Sequence, residues 1–478
     1  MSNESRGKKY KSLAKDTMLF TISSFGSKIL VFLLTPLYTS ILATHEYGVA
    51  DLITTTIHFI YPILTLAIAD ATLRFALDKE VDKNSVFVVS TVFTALSVVF
   101  LLILYPAISL IDDSLKQYWH IFVLNFFLFN VHNYFSNFVK SLGKTTLFAV
   151  QGLVHTATII SCNILFLVVF KLGLDGYLAS TIIGYCVPIL LMFFGARLYK
   201  YLIPFIIDLS ILKEMLKYSI PMIPTILAWA INTSIDKYMI IWRYDIGASG
   251  VYSVAHKIPS IVTTILSVFT QAWQLSVISN HGSDDESDFF TTVYKGLDFV
   301  SISGCMFVIL ISKWLARLLF AKDFFIAWEY VPMLIIAAMF SSHSGFLAAA
   351  YRAAKKTKSL FVTVLAGSFI NIILNYFLIR DVGVLGAAIA TATSFFIVWF
   401  VRIIVIQHIV RVNVPIMQTV LSYALLFLSA ILVTIDFHYA LIVLIASYII
   451  ICVLKRDTIL SLLNSANGLI KRTIGKRK

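Results

Sequence analysis

Fourteen apolar stretches of helical length follow one another along this chain of 478 residues. They fall at 17–41, 48–70, 86–111, 117–139, 147–170, 177–198, 218–242, 250–279, 293–319, 326–350, 359–379, 384–408, 415–435 and 437–454. Crossing the hydrocarbon of a bilayer takes roughly 20 apolar residues in a helix. Runs this long, rather than short alternating segments, exclude an outer-membrane barrel. The expected fold is therefore all-α and membrane-integral, with about 14 transmembrane helices. The last two segments are the least separated, with only Asp436 to His438 between them.

Composition agrees. The chain is 59% hydrophobic and only 13% charged, about half the charged share of a soluble domain. A net charge of +13 would suit a nucleic-acid binder, but the basic residues sit in short loops and in both tails, as the positive-inside rule expects. Cys162, Cys186, Cys305 and Cys452 all lie in apolar stretches without metal-ligand spacing, and read as small buried hydrophobes. The basic N-terminus (Arg6, Lys8, Lys9, Lys11, Lys15) leads into a segment too long for the apolar core of a signal peptide.

An even number of spans puts both tails on one side. Both are basic, so both are expected in the cytoplasm. Arg74/Lys79/Lys83, Lys140/Lys144, Arg197/Lys200/Lys213/Lys217, Arg352/Lys355/Lys356/Lys358 and Arg402/Arg411 then also face inward. Two connections disagree. The loop with Asp284, Asp285, Glu286 and Asp288 falls inside, where acidic residues have little influence, and the outer loop after segment nine holds Lys313, Arg317 and Lys322.

The two halves echo each other. Gly143-Lys144-Thr145-Thr146-Leu147-Phe148 resembles Lys355-Lys356-Thr357-Lys358-Ser359-Leu360-Phe361. Leu172-Gly173-Leu174-Asp175-Gly176 resembles Val382-Gly383-Val384-Leu385-Gly386, and Tyr47-Gly48-Val49 resembles Ser249-Gly250-Val251. Three matches in the same order suggest two six-helix lobes related by a pseudo-two-fold axis around a central cavity, with two extra helices. The expected divisions are a cytoplasmic tail at 1–16, an N-lobe at 17–200, a C-lobe at 201–408, extra helices at 409–454 and a basic tail at 455–478. No loop is long enough to fold as a domain of its own, so the helices must be the machinery.

The stretch from Lys217 to Ile261 carries the most information. Segment seven holds Pro221, Pro224, Trp229, Asn232 and Asp236-Lys237. Segment eight opens with Gly250-Val251-Tyr252-Ser253-Val254-Ala255-His256-Lys257-Ile258-Pro259, and Gln271-Ala272-Trp273-Gln274 follows. Charges inside apolar segments are expensive in a bilayer and by default suggest function. With Pro36-Leu37-Tyr38 and Arg74-Phe75, these residues make the chain resemble the polysaccharide transporter branch of the MATE-like exporter superfamily, and more narrowly the Wzx-type lipid-linked oligosaccharide flippases. Lys237 departs from the Arg that often follows the Asp in relatives, and His256 from a common Tyr. The resemblance implies a V-shaped pair of lobes with segments one, two, seven and eight lining the cavity. It implies an undecaprenyl-diphosphate-linked sugar repeat unit as substrate, moved from inner to outer leaflet of a bacterial cytoplasmic membrane by alternating access. Membrane lipids, a polysaccharide polymerase and glycosyltransferases are the implied partners. No cofactor is implied beyond a coupling ion, H+ or Na+.

Nine residues are candidates for the cavity. Lys28, deep in segment one, costs roughly 2.5–3.5 kcal/mol to insert and should meet a ligand phosphate or an internal carboxylate, unless the helix boundary lies elsewhere. His58 is either a proton carrier, since imidazole titrates near neutral pH, or a hydrogen-bonded structural residue. Arg74 follows Asp70 by four residues, so it is either an i,i+4 partner or captures a headgroup at the cytoplasmic mouth. Asp236 and Lys237 diverge by about 100° on a helix and cannot face each other directly; one is expected at the cavity or a gate. Lys237 could also snorkel outward. With Lys257 and Arg243, it would make a cationic outer half. Trp229, Gln271 and Trp273 would stack on or bond to sugar rings, or simply pack. Asn163, Asn371 and Asn375 would join helices by hydrogen bonds.

Three functions compete. A membrane polymerase or ligase predicts a long outer loop with paired catalytic residues, and the sequence has neither. A multidrug antiporter of the same superfamily would favour acidic cavity residues. The buried charges lean basic (Lys28, Lys237, Lys257), which favours a non-enzymatic flippase with an anionic substrate.

Overall fold

A computed structural model describes residues 26, 29–30, 32–108, 110, 112–280, 286–354 and 356–464. Among them the regular structure is all helix, with no strand. This is the arrangement that satisfies every backbone N–H and C=O without water. In chain order the α-helices of seven or more residues are α1 (Thr35–Ile41), α2 (Thr44–Leu64), α3 (Ile68–Ala76), α4 (Lys83–Ile103), α5 (Trp119–Ser141), α6 (Thr145–Asn163), α7 (Gly173–Gly195), α8 (Leu209–Ser219) and α9 (Ile223–Arg243). They continue as α10 (Ile246–Ala255), α11 (Lys257–Asn280), α12 (Glu286–Leu319), α13 (Val331–Ala353), α14 (Thr357–Val382), α15 (Val384–Val405), α16 (Ile416–Thr434) and α17 (Ala440–Leu454).

Each of the fourteen expected segments, within the described residues, falls on one of these helices or on a bent pair of them. Eight are single helices long and apolar enough to span, and two bent pairs bring the number to ten. The other four are α1, whose segment begins outside the described residues, the more polar α5 and α9, and the 15-residue α17. The chain is a multi-pass membrane protein.

Segment two proves longer than expected and broken: α2 and α3 meet at 62°. Pro62 withholds a backbone donor within the last turn of α2. Leu66 and Ala67 then take φ of 50° and 51°, the left-handed region that reverses the chain's local path. Segment eight is bent by 42° between α10 and α11. There Pro259 falls in the first turn of α11, where its ring excludes the helical carbonyl four residues earlier. The connection before segment seven is not a simple loop. It holds α8, capped by Asp208, whose carboxylate accepts from the Ser210 and Ile211 amides at 2.8 and 3.2 Å.

By contact the chain divides into two units, Met1–Lys237 with Tyr244–Gly250, and Tyr238–Arg243 with Val251–Lys478. The repeat places α8 and α9 in the second lobe; by contact α8 and most of α9 belong with the first unit. In that unit one apolar core joins α3, α4, α5, α7 and α8 through Ile68, Ala71, Phe87, Tyr134, Phe138, Met192 and Met215. The second unit is built around α13, the most buried span, against which α11, α12, α15 and α16 pack.

Two of the repeat's matched motifs have structural counterparts. Gly173 and Gly383 both take positive φ, 56° and 76°, at the start of α7 and α15. Gly48 and Gly250 meet: a Cβ on Gly250 would lie 2.9 Å from the Gly48 amide nitrogen, and one on Gly48 would lie 2.1 Å from the Ile246 carbonyl oxygen. The crossing of α2 and α10 is thus backbone against backbone.

Candidate functional site

The first unit holds a cleft of about 300 Å3 between α2 and α9. Thr55, His58 and Phe59 line one wall, and Ile226, Trp229, Ala230, Thr233 and Ser234 the other. Its chemistry is mixed, with hydroxyls, one imidazole and one half-exposed indole. That combination suits a polyhydroxylated ligand, because ring faces stack on indole while hydroxyls and imidazole exchange hydrogen bonds.

Lys237 joins the two walls. Its ammonium donates to both carboxylate oxygens of Asp51, at 3.1 and 2.8 Å, and lies 3.4 Å from Thr55 Oγ1. Thr55 Oγ1 in turn donates to Asp51 Oδ2 at 3.4 Å. Both charged side chains are largely removed from solvent, 16% and 21% exposed. Asp51, Thr55 and His58 fall at i, i+4 and i+7 on α2, so one face of the helix carries all three. Lys237 therefore does not snorkel outward as part of a cationic surface. It is neutralised by Asp51, a partner that does not stand out among the sequence candidates. An ammonium at this depth is stable only beside a counter-charge.

The neighbouring Asp236 is buried, 1% exposed, and its Oδ1 accepts from the Lys237 amide at 3.0 Å. As expected for adjacent helical positions, the two do not pair side chain to side chain. His58 stands at the cleft with its ring 4.6 Å, centroid to centroid, from Phe129. Its other side closes a small cavity of about 20 Å3 shared with Asn125, Thr181 and Tyr185, room for a single water.

The remaining candidates are not gathered here. Arg74 is exposed at the end of α3, and its partner is Asp78 at 4.0 Å rather than the expected Asp70. Asp78 lies just past the helix end, where Arg74 is in the last turn, whereas Asp70 sits in the first. Lys257 opens α11 in the second unit. Trp273 is a packing residue, 4% exposed. Its indole stacks on Phe346 with centroids 4.3 Å apart and an interplanar angle of 9°. Its N–H donates to the Phe346 carbonyl at 3.2 Å, so neither its face nor its donor is left for a sugar. Lys28, the Gln271 side chain, and Asp284 and Asp285 lie outside the described residues. Asn163 does join helices, donating to Tyr38 Oη at 3.1 Å, as does Asn371, donating to Thr391 Oγ1 at 3.4 Å.

The second unit contains an apolar cavity of about 730 Å3 between α15 and α16, floored by Phe396, Trp399, Phe400, Tyr423 and Phe427. Its exposed surface is mostly apolar, although Thr393, Gln407, Asn413, Thr419 and Tyr423 also border it, and an apolar surface of this size suits an acyl or polyprenyl chain.

In fold the chain is similar to several solved transporters. A lipid II flippase MurJ in an inward closed conformation superposes with a TM-score of 0.68 at 18% identity, over 92% of this chain and all of that one. An inward-facing multidrug resistance MATE family transporter of the MOP superfamily gives 0.69 at 14% identity, over 80% of this chain and 95% of that one. An outward-facing one gives 0.57 at 14%, over 83% and 96%. At these identities the likeness is one of fold. No curated protein matches the chain. Residues 13–274, more than half of the sequence, match the family described as polysaccharide biosynthesis protein. The helical machinery, the paired charges in its cleft and this match lead to one statement of kinship: the chain belongs to the polysaccharide biosynthesis protein family.

Proposed function

We propose that this protein is a flippase. It carries undecaprenyl-diphosphate-linked oligosaccharide repeat units across the bacterial cytoplasmic membrane for surface polysaccharide synthesis, by alternating access and without a covalent step. The observation that carries the reading is membership of a polysaccharide biosynthesis family in a chain with a transporter's fold. What such a chain offers a polysaccharide pathway is passage through the membrane.

The cleft supplies the recognition chemistry. Trp229 stacks on a sugar ring, and Thr233, Ser234 and His58 bond its hydroxyls. The diphosphate draws Lys237 away from Asp51, since a phosphate oxygen and a carboxylate compete for the same ammonium. Ligand arrival therefore loosens a contact between α2 and α9. Lys28, on the segment before them, would be a second phosphate partner.

The test is lipid analysis of cells depleted of the protein. Undecaprenyl-diphosphate oligosaccharide accumulates on the inner leaflet, wild type relieves it, and well-expressed Lys237→Ala, Lys28→Ala and Trp229→Ala do not. Unchanged lipid intermediates with altered drug sensitivity would instead identify a multidrug antiporter. Relief by all three variants would keep the transporter and remove this cleft from its substrate path.

A further inference from the structure

The second unit buries a carboxylate that serves none of the steps above. Asp298, on α12, is 2% exposed. Its Oδ1 accepts from Tyr423 Oη of α16 at 2.6 Å, and its Oδ2 is held by the ammonium of Lys455, the residue that ends α17. Lys455 is itself only 7% exposed. A third ionisable group waits beside the pair. His343 of α13 is 0% exposed, and its Nδ1 lies 4.0 Å from Asp298 Oδ1. Neither ring nitrogen of His343 has a hydrogen-bond partner among the described residues. Nor do the hydroxyls of Ser301, one turn along α12, and Thr419, one turn before Tyr423.

A buried imidazole with both nitrogens unbonded is costly, because each group gave up its water without gaining a partner. The electrostatics show what would relieve it. With His343 neutral, Asp298 and Lys455 cancel. A proton added to His343 while Lys455 remains would leave one net positive charge without a partner in a dry site. The same proton is accommodated if Lys455 leaves, because His343 then takes its place beside the carboxylate. A closure of about 1 Å brings Nδ1 to the usual length of a charge-assisted bond. Lys455 has somewhere to go: it ends α17 at a break in the helix, beside the exposed Arg456 and Asp457, and its long stem lets the ammonium reach a membrane surface.

Other titratable groups on the helices around this cluster have partners of their own. Tyr294 of α12 accepts from Trp399 Nε1 of α15 at 2.8 Å. Arg402 of α15 is committed to Ser344 O and Thr363 Oγ1, at 2.8 and 3.0 Å, and Tyr351 of α13 donates to the Arg402 carbonyl. From α11, Thr270 reaches the same stretch at Gly345.

We propose that Asp298 is a proton-coupling site that alternates between two cations. Protonated His343 displaces Lys455 as its counter-charge, and α17 is released from α12. The exchange needs no assumption about substrate; its role in driving transport rests on the flippase reading.

The test is hydrogen–deuterium exchange of the full-length protein in lipid nanodiscs, between about pH 4 and pH 8, a range that reaches below the span in which imidazole ordinarily titrates. Rates are corrected for the intrinsic chemistry at each pH. In wild type, peptides covering 440–454 exchange faster towards low pH, by up to tenfold per unit, the slope of one linked proton. His343→Gln holds them slow throughout, and Lys455→Gln makes them fast throughout. These opposite plateaus are what a merely structural cluster would not give. A pH-independent wild type overturns the proposal, as does pH dependence retained in His343→Gln. Should His343→Gln fail to fold, Lys455→Gln decides alone: slow exchange at high pH overturns it. Because no substrate is present, failure here is separate from failure of the lipid-accumulation assay, which tests the flippase reading.

Discussion

Removing the ammonium from the Asp51–Lys237 pair is the sharpest perturbation of the cleft. Lys237→Met keeps the length and apolar stem of the side chain and deletes its charge. At 2.8 Å and an effective dielectric near 20, the gross attraction is about 6 kcal/mol. Most of it offsets the desolvation of two ions. The measurable quantity is the stability lost when one partner goes and the other keeps its charge in the same half-dry site. Breaking a fully buried pair costs about 3–5 kcal/mol; with 16% and 21% of the side chains exposed, about 2–3 kcal/mol is expected. Asp51→Asn should cost as much. The double variant removes both charges and should return to within about 1 kcal/mol of wild type, a coupling of about 3 kcal/mol or more. Thermal unfolding in nanodiscs, followed by tryptophan fluorescence, gives all four corners of the cycle. Additive losses, or single variants as stable as wild type, would refute the pairing as a contact that holds α2 to α9.

Four further outcomes are expected. Gly48→Ala and Gly250→Ala each drive a methyl into a backbone at 2.1–2.4 Å and should lose about 1–3 kcal/mol, read as lower melting temperature; a change within about 0.5 kcal/mol would disprove the close crossing. Trp273→Ala should cost about 3–5 kcal/mol of stability, whereas Trp229→Ala, with 46% of its residue surface exposed, should leave melting nearly unchanged and lower transport; the reverse pattern would exchange their roles. Asp82→Ala removes the cap of α4, where the carboxylate accepts from the Ser85 amide and hydroxyl and the Asn84 amide, and should cost about 1 kcal/mol. Burial pushes the Asp82 carboxyl up, but these bonds together outweigh it and hold it below the ordinary carboxylate range. Its contribution is therefore complete above about pH 4 and fades as pH falls through the lowered folded value, so the wild-type and Asp82→Ala melting curves should converge in acid.

The fold is largely legible because a bilayer imposes a local rule. Each span has to show its own apolar run, and among the described residues each run is a helix or a bent pair of helices. Pro62 and Pro259 also mark their breaks, since a missing donor acts on its own turn. Less visible is α8, whose amphipathic pattern sits between spans and carries no run of spanning length. The candidate site is half legible. His58, Trp229 and Lys237 do gather at one cleft, because charge and aromaticity in apolar helices are conspicuous. Lys237's partner escapes notice, although Asp51, Thr55 and His58 share a helical face, because the pairing joins residues 186 apart in sequence. Lys455 reads as the first residue of a basic tail. Only the packing of α12, α13 and α17 turns it into the counter-ion of Asp298.

The crossing of α2 and α10 has a mechanical meaning. Helices that meet through side chains interlock, so a change of angle requires ridges to climb out of grooves. Where Gly48 lies against Gly250 neither residue has a side chain to interpose. The two backbones touch as smooth cylinders do, at a distance fixed by their own atoms. Such a contact resists compression, and at that point no interlocked side chains oppose a change of angle.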